Sequence, residues 1–264
     1  MLSEPSPPGP LSRSPEHTLP GRGGDLQQPS LGALAFACLF PTLATWLYFI
    51  QLSGTSWAMH AYAVTKVIQF AFPAVWIFVR EGGVRPPLPR SGGGLGRGLL
   101  FSLISGLTIV AALLLSWCAI LAASPAFERA PAAVAAKVAS LGIDSGAKFF
   151  LLAAFYSVIH SFLEEYYWRW FVFGRLNRRL PFAAAAVVSA LAFTSHHVLV
   201  VGHFLGSFGI LTFAVSLVVT AAGLLWAWLY HRTGHLAGPW LSHALADAGL
   251  MWIGYQMWRG IAGS

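Results

Sequence analysis

The run FFLLAAFYSVIHSFLEEYYWRWFVF (Phe149–Phe173) is long enough to cross a bilayer as one helix, yet two adjacent glutamates and an arginine stand in its midst. A spanning helix needs about 20 mostly apolar residues. Ionisable groups within such a span are costly and tend to be kept for pairing or chemistry. Arg169 follows Glu165 by four residues, which puts both on one helix face as an ion pair. Glu164 points about 100° away around the helix. The two carboxylates therefore divide into one that is held and one that is free. Eleven residues separate Glu164 from Arg175, about 16 Å along a helix, which places Glu164 near mid-bilayer.

Six further apolar runs flank this one: Leu31–Leu52, Trp57–Phe78, Leu99–Ala122, Phe182–Val201, Phe208–Tyr230 and Leu236–Trp258. Together they predict an all-α, polytopic membrane helix bundle of seven to eight transmembrane helices around an intramembrane polar cavity. The alanine-rich stretch Pro125–Lys148, with scattered charges, reads as a short interfacial helix or an extra partial span. Residues 1–30 are rich in Pro, Gly and Ser and hold no apolar stretch, so they read as a disordered tail rather than a signal peptide. The chain thus divides into a tail (1–30), N-terminal transmembrane helices with the interfacial segment (31–148), and the helices that carry the polar cluster (149–260).

Composition agrees. Of 264 residues, 56% are hydrophobic and 9% charged, against roughly 25% charged in a soluble domain; so few charges could not cover a water-facing surface. The net charge of +7 would suit nucleic acid in a soluble chain. Here, however, the basic residues lie between apolar runs and the aromatics within them, unlike the interleaved groove of a single-strand binder, so no nucleic-acid partner is expected. With the N-terminus in the cytoplasm and seven spans, Arg13, Arg22, Arg80, Arg85, Arg90, Arg97, Arg175, Arg178, Arg179 and Arg232 fall on the cytoplasmic side, and Arg129, Lys137, Lys148 and Arg259 on the other. That asymmetry follows the positive-inside rule. Basic residues are mostly arginine, which points to a bacterial source and its plasma membrane. Cys38 and Cys118 lie inside apolar runs and read as small buried hydrophobes.

Ionisable groups inside the spans fall in three places on this reading. Besides the Glu164/Glu165/Arg169 group, the fifth span holds His196-His197, of which only one can face the glutamates. The last span holds His243 and Asp247, four apart on one face. His203 falls at the far end of the fifth span, and His231 and His235 in a solvated turn. Counted along each helix, Glu164, His197, His243 and Asp247 lie about 16, 22, 10 and 16 Å deep, so they would converge in one interior pocket. A carboxylate with two histidines can activate water and stabilise an oxyanion. Glu and His are also standard zinc ligands, but no HExxH signature is present, so the cofactor stays open between none and zinc.

Glu164-Glu165-x-x-x-Arg169, then Phe193-x-x-x-His197, then His243-x-x-x-Asp247 resembles the CPBP family, which includes the type II CAAX prenyl proteases and bacteriocin-processing or immunity proteins. Order and spacing within each motif match, over about Phe149–Trp258. The resemblance implies a bundle of about eight helices with a cavity open to the membrane or cytoplasm. It implies Glu164 as the water-activating glutamate, Glu165 with Arg169 as its support, His197 as the histidine that holds the water, and His243 as the oxyanion-side histidine. Asp247 stands where many members have Asn, and an ionised Asp can accept but not donate. The family has been described both as metalloproteases and as glutamic enzymes. The expectation is an intramembrane endopeptidase acting on a membrane-associated peptide or protein. The alternatives are a non-enzymatic scaffold or bacteriocin-immunity protein, and a proton-coupled transporter; against the last, the sequence shows no internal repeat.

Overall fold

The computed structural model describes residues 30–80 and 95–262, so the tail expected over 1–30 lies outside the described residues but for Ser30. These residues form helices and no strand. We number them α1 (Leu31–Gln51), α2 (Trp57–Arg80), α3 (Gly96–Leu121), α4 (Ala130–Ser140), α5 (Gly146–Leu176), α6 (Phe182–Leu205), α7 (Ile210–Thr233) and α8 (Ala237–Ala262). Six of them (α1, α2, α3, α5, α6 and α7) are long and apolar enough to cross a membrane among the described residues. Their outer surface carries large exposed apolar side chains such as Leu39, Leu43, Val67, Phe78, Leu115 and Leu217. So continuous an apolar surface would be an aggregation patch in water and is suited to acyl chains. The protein is a polytopic membrane helix bundle.

The seventh expected span, Leu236–Trp258, is α8. It falls outside the six helices that are long and apolar enough to cross. It nevertheless runs parallel to α3 along that helix's length. Near its start Ser105 Oγ donates to Ser242 Oγ (3.0 Å), and near its end Trp117 Nε1 donates to Gln256 Oε1 (2.9 Å). Small residues allow this approach: Gly98, Ser102 and Gly106 on α3 recur every four residues, as do Gly238, Ser242 and Ala246 on α8. Gly234 (φ 73°) ends α7 in the left-handed conformation and turns the chain directly into α8.

A methyl added at Gly106 would lie 2.7 Å from Leu245 Cδ1 and 3.0 Å from the Ser242 backbone, whereas one added at Gly96 meets nothing within 4 Å. Gly106→Ala is therefore expected to cost about 1–3 kcal/mol by overpacking, while Gly96→Ala leaves stability unchanged or raises it. Thermal unfolding of the two purified variants in detergent checks this; equal melting temperatures would mean that α3 and α8 are not in close contact.

The stretch Pro125–Lys148 resolves into a short 3-10 turn (Pro125–Phe127), the 11-residue α4, and the first turn of α5, where Ser145 Oγ caps Lys148 N. At about 16 Å, α4 is too short to cross. It packs at the end of the bundle where α1 and α3 finish and α5 starts. Lys137 lies over the Phe49 ring (5.4 Å) and the Tyr62 ring (5.9 Å) there. The opposite end gathers Arg80, Arg97, Arg175, Arg178, Arg179 and Arg232. Two smaller expectations are corrected. Cys38 is half-buried and Cys118 is exposed on the outer surface of α3 rather than buried. His231 and His235 are half-buried rather than solvated, His231 lying against Phe182 (4.6 Å between ring centres).

Candidate active site

The site is built on α5, which is not a uniform α-helix. Phe155–His160 and Tyr166–Phe173 are π-helical, and only the five residues Ser161–Glu165 between them keep α geometry. Such wide turns are rare and concentrate at functional sites. The second of them packs Tyr167, Trp168, Arg169, Phe171, Val172 and Phe173, all fully buried, directly beyond the two glutamates.

Glu165 and Arg169 are both at 0% exposure, with Nε donating to Oε2 at 3.2 Å. The guanidinium lies over the Phe193 ring (5.1 Å) and the Trp226 ring (5.6 Å), which pack edge-to-face on each other. The other Glu165 oxygen is 2.8 Å from His243 Nδ1. A carboxylate paired with arginine can only accept, so Nδ1 carries the hydrogen and Nε2 is the atom His243 presents to the interior. Stacking on Trp226 (3.8 Å, 15° between planes) holds the ring in that pose. Arg169, Glu165 and His243 thus form one buried chain that fixes the orientation of an imidazole.

Glu164, 3% exposed, is the free carboxylate. Three imidazole Nε2 atoms surround it: His196 at 3.7 Å and His160 at 3.9 Å from Oε1, and His243 at 3.8 Å from Oε2. Each separation exceeds hydrogen-bond length, so the groups encircle the carboxylate without being bonded to it. Asp247 Oδ1 lies 3.6 Å from His243 Nε2 on the same helix face. His197 Nδ1 is 3.0 Å from the Phe193 carbonyl, so it donates there and leaves Nε2 free.

These side chains border a cavity of about 550 Å³. Glu164, His160, His196, His197 and Asp247 line its deep part, with Lys66 of α2 and Tyr156 of α5 nearby. The apolar remainder extends toward α4. The structure thus brings Glu164, His197 and Asp247 to one chamber, with His243 against Glu164 and Glu165 and Arg169 behind them. His196, rather than His197, makes the direct approach to Glu164.

Two groups go beyond the sequence reading. Lys66 is a fourth ionisable site inside the spans, where that reading had three; its Nζ donates to Gln69 Oε1 (3.2 Å) and lies 5.5 Å above the Phe70 ring. His160 stands one turn before Glu164, and the same i,i+4 rule that pairs Glu165 with Arg169 identifies it. His203 ends up in the last turn of α6 against Phe49 (4.8 Å between ring centres).

The donor set has the chemistry of a zinc site. Among the described residues no group of three or more His, Cys, Asp or Glu side chains is arranged to hold a metal ion.

Residues 146–249 match the family model described as Rce1-like, type II CAAX prenyl endopeptidase. The match bears out the resemblance read from the three motifs and falls on the helices that carry them. It is a protease family. No curated protein matches the chain, and no solved structure does.

Proposed function

We propose, for a membrane protein that carries the Rce1-like match over its motif-bearing helices, that it is an intramembrane endopeptidase driven by Glu164. The observation that carries this reading is the free, buried carboxylate encircled by imidazole Nε2 atoms at the head of a cavity. Glu164 takes a proton from water as the water oxygen attacks the scissile carbonyl carbon. His197, with Nδ1 committed to the Phe193 carbonyl, offers Nε2 to hold that water. His243 donates from Nε2 to the oxyanion of the tetrahedral intermediate. It acts as an imidazolium, with Glu165 on Nδ1 and Asp247 alongside as countercharges. When the C–N bond breaks, Glu164 returns its proton to the leaving amine, giving a carboxyl and an amino terminus. His196 and His160 orient Glu164. The substrate is a peptide or protein at the membrane.

The two adjacent histidines separate these roles. His197→Ala is expected to lower the cleavage rate by about 10²-fold or more, as loss of a group that holds the nucleophile. His196→Ala, which removes only an orienting neighbour, has the smaller effect. Rate measurements on both purified variants decide it, and the reverse order would transfer the water-holding role to His196. Substrates are found by comparing peptide termini between cells with the wild type and cells with Glu164→Gln. Termini present only with the wild type identify the cleavage; identical sets of termini would sink the endopeptidase reading.

A further inference from the structure

The chamber holds one charge that the proposed reaction does not use. Lys66 stands near the middle of α2, about 14 Å from Trp57 and about 21 Å from Arg80 along the helix. An ammonium at that depth is costly and is kept where it pairs or works. Lys66 lines the same cavity as Glu164, His160, His196, His197 and Asp247. A short series of contacts joins it to Glu164. Its Nζ lies 5.5 Å above the Phe70 ring, that ring meets His160 edge-on (6.0 Å between ring centres), and His160 Nε2 is 3.9 Å from Glu164 Oε1.

The carboxylates of the chamber already have partners. Three imidazoles surround Glu164, and Asp247 has His243 at 3.6 Å. Among the described residues no carboxylate is within ion-pair distance of Lys66. Its hydrogen bond goes from Nζ to Gln69 Oε1 (3.2 Å). Gln69, 1% exposed, holds the ammonium at a cost, since turning Oε1 to it leaves Nε2 buried with no hydrogen-bond partner. An ammonium has three hydrogens to donate and no lone pair, so two are left over. What this position lacks is an acceptor with one negative charge. A phosphate, carrying up to two charges, would face Glu164 and Asp247 across the same cavity, whereas a carboxylate matches the single ammonium.

We propose that Lys66 is a specificity-determining residue of the chamber, whose ammonium binds a carboxylate that the peptide carries close to the bond that is cut. The peptide as ligand rests on the endopeptidase reading above; the cation and its missing partner do not. The carboxylate comes from an acidic side chain or from a free C-terminus, and either presents its oxygens to Nζ in a charge-assisted hydrogen bond.

Binding to the full chain in detergent tests this, in a Glu164→Gln background so that the peptide stays whole. Three dye-labelled apolar decapeptides of one sequence serve as probes: one amidated at its C-terminus and uncharged, one amidated with a single Asp at its centre, and one with a free C-terminal carboxylate. A peptide with a carboxylate is expected to bind about 10-fold or more tightly than the neutral one. Lys66→Met should abolish that difference and Lys66→Arg should restore it. A preference for the Asp peptide assigns the carboxylate to a side chain, and a preference for the free end assigns it to the C-terminus. Equal binding of all three, no binding of any, or a preference that survives Lys66→Met overturns the proposal. Stability gives a second readout. In otherwise wild-type protein, Lys66→Met removes a half-buried ammonium with no carboxylate partner, so it should melt at or above the wild-type temperature. A large drop would make Lys66 a structural countercharge and overturn the proposal. Cleavage of the same peptides by the wild type tests the other reading separately: a peptide that binds with the Lys66-dependent preference and is never cut counts against the endopeptidase, while the carboxylate site stands.

Discussion

Glu164→Gln is expected to lower the cleavage rate by about 10³-fold or more, in the range lost with a general base, while the protein still inserts and unfolds at the wild-type temperature. The amide keeps the size and planarity of the carboxylate but cannot take a proton from water. Stability should be spared because Glu164 has no short hydrogen bond to lose: its three imidazole neighbours stand 3.7–3.9 Å away. A purified-protein assay alongside a detergent melt separates the two effects. Full activity in Glu164→Gln would remove this carboxylate from the chemistry, and a collapsed melt would recast it as a structural group.

Arg169→Ala should act in the opposite way, through the fold. It strips the guanidinium from a fully buried carboxylate and empties the space beside the Phe193 and Trp226 rings. Removing one partner of a buried ion pair typically costs about 3–5 kcal/mol, because the other charge is left without compensation. The expected result is a large drop in melting temperature or in yield of folded protein. Removing both charges in similar volume, as Arg169→Met with Glu165→Gln, should restore much of the lost stability. Activity should stay low, since His243 Nδ1 would no longer face a carboxylate. If Arg169→Ala melts like the wild type, the pair is not what holds α5 in place. If the double variant is fully active, the chain from Arg169 to His243 does not orient the imidazole.

Much of this was legible in the sequence because the relevant forces are local or follow composition. Long apolar runs with so few charges leave lipid as the only suitable solvent, and that sufficed for a helix bundle. The Glu165/Arg169 pair followed from one helical turn of spacing. The convergence of Glu164, His243 and Asp247 followed from counting depth along separate spans. What was not legible depends on contacts between helices. Which of His196 and His197 approaches Glu164 is set by the rotation of α6 against α5, and no local pattern encodes that. The π-helical turns of α5 are likewise invisible in a run of aromatic and aliphatic residues. Lys66 has no acidic or histidine partner at helical spacing, so nothing nearby drew it into a motif. His160, by contrast, obeyed a rule already in use one turn further on and was readable.

The wall of rings beyond the glutamates matters to the cell as well as to the chemistry proposed at Glu164. A chamber that admits water halfway through a membrane shortens the path by which protons could cross, and a cell that runs on an electrochemical gradient cannot tolerate such a leak. Tyr167, Trp168, Phe171, Phe193 and Trp226 close that path with close-packed apolar matter. On the proposed reading, hydrolysis inside the bilayer is thereby compatible with electrical insulation, and thinning this layer would tax the energised membrane even where catalysis survived.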